Sequence, residues 1–204
     1  MIPRYPASTA VEVTTTFDAG SRAAWRAWLE QHHASEREIW LLLRRGAPGA
    51  TTYLDAVLEG LCFGWIDGIA KRHGDATAQR FTPRRPRSNW TELNKERARR
   101  LIREGRMTEA GLRVLPDLRE LPVVVPSDIR ERLLALPGAL RHFESFPPLY
   151  QRVRIGNIEE VRKPNPAEWQ KRLENFLSKT AKGMMYGNWD DSGLPTSESE
   201  RGNS

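Results

Sequence analysis

Apolar residues recur along the chain in two rhythms, and their order predicts an α+β protein. Residues 1–16 mix Pro, Ser and Thr around a short Val11-Glu12-Val13 run and read as a flexible arm. Between Phe17 and His33, Trp25, Trp28 and Leu29 fall at i, i+3 and i+4, a helical face that Ser21 can cap. Glu36 to Arg45 holds the run Ile39-Trp40-Leu41-Leu42-Leu43, a buried strand that Gly46, Pro48 and Gly49 should end. Thr52 with Asp55 three residues on resembles a capping box, with Asp in place of the usual Glu. The helix it opens carries Leu54, Val57, Leu58 and Leu61 and should stop at Gly64. Ile69 to His73, a Gly74-Asp75 turn and Thr77 to Thr82 read as a β-hairpin.

The rhythm then becomes helical throughout. Ser88 to Gly105 reads as a helix buried through Leu93, Ala98, Leu101 and Ile102, with Ser88, Asn89 and Thr91 all able to cap it. Thr108 caps a short helix to about Leu115, and residues 116–126 form a Pro-rich connection. Helices follow from Ser127 to Leu136, from Gly138 to Phe146 and from Pro148 to Arg162. Asn165-Pro166 starts a last helix to Lys182, with Pro at its first position. The expected layout is a 17–115 α/β part with a β-hairpin, an all-helical 127–182 part, and a 183–204 tail rich in Gly, Ser, Asp and Glu that reads as disordered.

Composition narrows the chemistry more than the fold. The 204 residues carry a formal charge of +6, which favours negatively charged partners without choosing among them. Cys62 is the one cysteine, so no disulfide can form within the chain, and its apolar surroundings read as a buried thiol. The N-terminus lacks the apolar core of a signal peptide and no apolar run approaches a membrane span, so the expected location is the cytoplasm, without membrane insertion. His32, His33, His73 and His142 do not reach metal-ligand spacing with Cys62 or a carboxylate, so no metal is expected, and His32-His33 read as helix-end caps. No phosphate loop, dinucleotide fingerprint or nucleophile elbow is present, so no cofactor and no catalytic residue is assigned.

The chemistry-bearing stretch runs from Gly64 to Met107. Gly64-Trp65-Ile66-Asp67-Gly68 displays a carboxylate at a helix-to-strand junction. Asp67 either belongs to a site, satisfies backbone donors in its turn, or pairs with an arginine. Arg84, Arg85 and Arg87 lie on a proline-stiffened segment leading to a helix start, where guanidinium forks and N-terminal amides suit an anion. Ser88, Asn89 and Asn94 add neutral donors, and Lys95 lies further along. Trp65 and Trp90 either stack on a planar ligand or pack in the core. Residues 80–106 hold ten arginines or lysines against three glutamates, so the basic charge is concentrated there, as a phosphate-tracking stripe or as a solvated helix face.

These same residues carry a family resemblance. Trp25-x-x-Trp28-Leu29, Trp40, Thr52-Tyr53, Cys62-Phe63-Gly64-Trp65-Ile66-Asp67-Gly68, Phe81-Thr82-Pro83-Arg84-Arg85, Ser88-Asn89-Trp90, Asn94-Lys95, Gly105-Arg106-Met107 and Ala110-Gly111 resemble the bacterial YdeI/OmpD-associated, or bacteriocin-protection, family. Phe143-Glu144-Ser145-Phe146-Pro147-Pro148, Ile155-Gly156-Asn157-Ile158 and Lys171-Arg172-Leu173 are similar to its C-terminal part. One departure is Asn157, where the family usually shows Trp. The resemblance implies a bacterial cytoplasmic protein tied to envelope stress or bacteriocin protection and brings no agreed reaction or ligand. The expectation is therefore a module binding an anionic small molecule or nucleotide. Two alternatives stand beside it: a nucleic-acid binder using the 80–106 stripe, and an enzyme with Asp67 as base. The enzyme ranks last, because arginines beside a carboxylate lower its basicity.

Overall fold

The computed structural model describes residues 11–44, 49–85 and 87–192. The N-terminal ten residues of the arm, the strand-ending Gly46 and Pro48, Pro86 of the stiff segment and tail residues 193–204 lie outside the described residues. In chain order the elements are β1 (Thr16–Phe17), α1 (Arg22–His32), β2 (Ile39–Leu43), α2 (Tyr53–Cys62), β3 (Trp65–His73), β4 (Ala76–Pro83), α3 (Glu92–Arg103), α4 (Glu109–Arg113), α5 (Ser127–Leu134), α6 (Ala139–Ser145), α7 (Pro148–Glu159) and α8 (Pro166–Ala181). This is the expected α+β class. The described residues form two compact units, one holding residues 11–85 with 108–113, the other holding 87–107 with 114–192.

The first unit is a four-stranded sheet in the order β1-β2-β4-β3, with β1 parallel to β2 and the other pairs antiparallel. Its helices start where the sequence places oxygen caps. Ser21 accepts from the Ala24 amide at 3.2 Å, and Thr52 and Asp55 form a full reciprocal capping box. That box satisfies two of the donors a helix start otherwise orphans. Gly64 ends α2 with φ 74°, a left-handed angle that favours glycine. The β3–β4 hairpin pairs Asp67 with Phe81 and then Ala70 with Gln79, so one extra residue bulges from β3. The Gln79 amide donates to the Gly68 carbonyl at 2.8 Å and supports the bulge. Trp25 of α1 packs on Phe81 of β4 at 5.3 Å, which puts α1 on the face of the sheet that also bears Asp67.

The second unit is helical. Ile129, Leu133, Phe143, Tyr150, Leu173 and Phe176 are fully or nearly fully buried in one core. Two readings of this region change. Thr91 rather than Ser88 or Asn89 caps α3, accepting from the Asn94 amide at 3.2 Å. The disorder expected from residue 183 does not hold through residue 192. Tyr186 and Trp189 pack against the helical core, and Asp191 is paired with two arginines of α3. The physical reason is the two aromatic rings in an otherwise polar stretch, which gain by burial. No helix among the described residues is long and apolar enough to cross a membrane.

Candidate functional site

In the first unit the fold brings Asp67 and Arg84 together. Tyr53, the first residue of α2, donates its hydroxyl to Asp67 Oδ2 at 2.6 Å. The Arg84 amide, just past β4, donates to the Gly64 carbonyl at 2.8 Å, and its side chain is buried. Burial pushes the Arg84 guanidinium down to about 10, while the Asp67 charge pulls it the other way. Arg85 is exposed. Trp65 is a core residue rather than a ligand platform. It is 1% exposed, its indole N–H donates to the His33 carbonyl, and its ring meets Trp28 edge-on at 5.8 Å.

The same unit holds an ionic cluster that sequence reading missed. Arg22 of α1 reaches Glu59 at 2.7 Å and Asp55 at 3.1 Å, and Arg26 reaches Glu59 at 2.9 Å. Asp55 and Glu59 are completely or almost completely buried. Their i, i+4 spacing on α2 was a readable signal, since two acids on an apolar helix need cations. Cys62 is buried as expected, and burial together with the Glu59 charge pushes its thiol up to about 12, so it stays protonated at neutral pH.

The remaining expected residues lie in the second unit, and several are committed to internal bonds. Trp90 is buried, so its ring is not presented to a base. Asn94 is buried and accepts from Arg97 at 2.9 Å, and Lys95 pairs with Glu92 at 2.6 Å. Ser88 and Asn89 precede the Thr91 cap. Arg87 is exposed in a left-handed backbone conformation, φ 61°. The rest of the basic stripe is a lattice of ion pairs: Arg97 and Arg100 on Asp191 at 2.8 Å each, Arg99 on Glu96 at 2.8 Å, and Arg106 on Glu104 at 3.5 Å. Charge so consumed is a poor phosphate track.

A different site emerges within the helical unit. A hollow of about 330 Å³ is lined by Arg154, Asn157 and Ile158 on α7 and by Arg172 and Asn175 on α8. Glu160 and Tyr186 complete the lining. Arg172 is already neutralised, by Glu160 at 2.9 Å and Glu168 at 3.0 Å. Arg154 is not. It is 7% exposed and makes no ion pair among the described residues. Its Nη2 donates to the Asn188 carbonyl at 2.9 Å, while its buried Nε has no hydrogen-bond partner. Its guanidinium lies near two aromatic rings, 5.6 Å from Tyr150 and 4.9 Å from Tyr186. Gly187 allows the chain to pass this close, since a Cβ there would stand 3.0 Å from Arg154 Nη1. No motif announced this residue, because its lack of a carboxylate is a property of the packing.

Fold and hollow together define an α+β protein whose helical unit holds a buried, uncompensated cation beside a small polar cavity. Residues 122–183 match the family described as bacteriocin-protection, YdeI or OmpD-associated, so the chain carries a domain of that family. Residues 17–114, where the resemblance was also expected, match a separate model described as a domain of unknown function (DUF8412). All the residues lining the hollow except Tyr186 fall within the family-matched segment. No curated protein and no solved structure matches the chain.

Proposed function

We propose that the protein is an anion-binding module, working in the cytoplasm in bacteriocin protection or envelope stress, and that the Arg154 hollow is its site. The observation that carries this reading is Arg154 itself: a guanidinium buried with no carboxylate partner among the described residues, lining a cavity of ligand size. Arginine is almost never buried without an anion, because the desolvation of an unpaired charge costs several kcal/mol. Nearby aromatic rings recover only part of that cost. An anion entering the hollow supplies the missing partner. The family description over 122–183 supports the biological setting. The lining groups favour holding a ligand over transforming it, since guanidinium and amide groups do not exchange protons readily at neutral pH and the lining carboxylate, Glu160, is engaged by Arg172.

The test is the unfolding temperature of the full chain in sodium acetate against sodium chloride at equal ionic strength. Acetate should raise it in the wild type and leave Arg154→Gln unmoved. Equal responses from both proteins would refute the site.

A further inference from the structure

Resting on that reading of the hollow, we infer that its ligand is a small monocarboxylate whose body carries hydroxyl or amide groups, rather than a phosphate or a dicarboxylate. Three features of the lining point this way. The first is charge. Arg172 already has two carboxylate partners, at 2.9 and 3.0 Å, which leaves Arg154 as the lining cation without one. A second negative charge on the ligand would meet no spare cation and would face Glu160, which also lines the hollow. Like charges in a partly dehydrated cavity repel strongly, so a dianion is disfavoured where a monoanion is held.

The second feature is shape. Arg154 has Tyr150 and Tyr186 rings 5.6 and 4.9 Å from its guanidinium carbon and its Nη2 bonded to the Asn188 carbonyl, so its remaining N–H groups are what it has for a ligand. A flat carboxylate is the anion that guanidinium N–H groups pair with most strongly. The third feature is the remainder of the lining. Asn157 and Asn175 bring side-chain amides, each both donor and acceptor, while Ile158 is the apolar member. Two amides suit hydroxyl or amide groups on the body of the ligand. The volume of about 330 Å³ sits at the low end for ligand sites, which limits the body to a small metabolite.

Isothermal titration of the full chain with four sodium salts at pH 7 and fixed ionic strength separates the possibilities: acetate, D-gluconate, succinate and inorganic phosphate. Gluconate should bind about tenfold more tightly than acetate, since each hydrogen bond to its hydroxyls adds a modest increment. Succinate and phosphate should bind more weakly than acetate. Asn175→Ala, at an exposed helix position, should shrink the gluconate advantage over acetate several-fold. Phosphate or succinate binding as tightly as gluconate would overturn the monocarboxylate class while leaving an anion site standing. Gluconate no tighter than acetate would overturn the polar-body assignment. Heat from none of the four salts would sink both this inference and the anion-binding reading beneath it.

Discussion

Two buried arginines, Arg22 in the first unit and Arg154 in the helical unit, are held in opposite ways. In the first unit, Arg22 and Arg26 of α1 meet Glu59 and Asp55 of α2, so each charge of that cluster has an opposite within 3.1 Å. In the helical unit, Arg154 is just as buried as Arg22 but is held by a backbone carbonyl and two aromatic rings. The contrast is not a general shortage of acid in the helical unit. Asp191 there serves both Arg97 and Arg100. A charge closed off by carboxylates fixes the packing of two helices. A charge left open at the wall of a cavity is poised for a partner from solution.

The largest expected effect comes from opening the closed cluster. Glu59→Ala removes the carboxylate that Arg22 and Arg26 share, leaving Arg22 with Asp55 alone and Arg26 with the half-exposed Glu30, and urea unfolding should show a loss of about 3–5 kcal/mol. A loss below ~1 kcal/mol would mean the cluster is more hydrated than its burial implies. Next is Asp191→Ala, which removes the shared partner of Arg97 and Arg100. The same measurement should show a loss of about 2–3 kcal/mol. A neutral result would return residues 187–192 to the disordered tail that their composition predicts. Smaller again is Thr52→Ala, which deletes the cap of α2 and should cost about 1 kcal/mol.

The smallest effect is a pH dependence at the surface. Hydrogen bonds from Arg162 hold the Asp128 carboxyl below its ordinary value of 3.8, despite an opposing effect of burial. A carboxylate lowered by folding stabilises the folded state above its unfolded pKa, and that contribution disappears as pH falls through the folded one. Asp128→Asn should therefore flatten the acid limb of stability below pH 3.8 and leave the stability curve near neutrality almost parallel to wild type. The pair is a third to nearly a half exposed, so the change is modest.

What the sequence revealed followed from how local each feature is. The Thr52–Asp55 box, the Gly64 stop, the Gly74 turn and the Asn165-Pro166 helix start are decided within a few residues, and all were readable. The Asp67–Arg84 proximity was anticipated as one of three readings of Asp67, and Tyr53 was the unforeseen third member. The hollow was illegible for a physical reason. Arg154, Arg172 and Tyr186 are separated along the chain, and Arg154 stands out only because it has no ion pair among the described residues. In the tail, Tyr186 and Trp189 in a polar stretch are the signal that it folds back onto the helices.

A ligand that completes Arg154 must show itself in the gap in unfolding free energy between wild type and Arg154→Gln as D-gluconate is raised. If Arg154 is so completed, the gap widens with concentration, by about 2.7 kcal/mol at a hundredfold excess over the dissociation constant. A gap that stays constant at every concentration would contradict this and make Arg154 a packing residue.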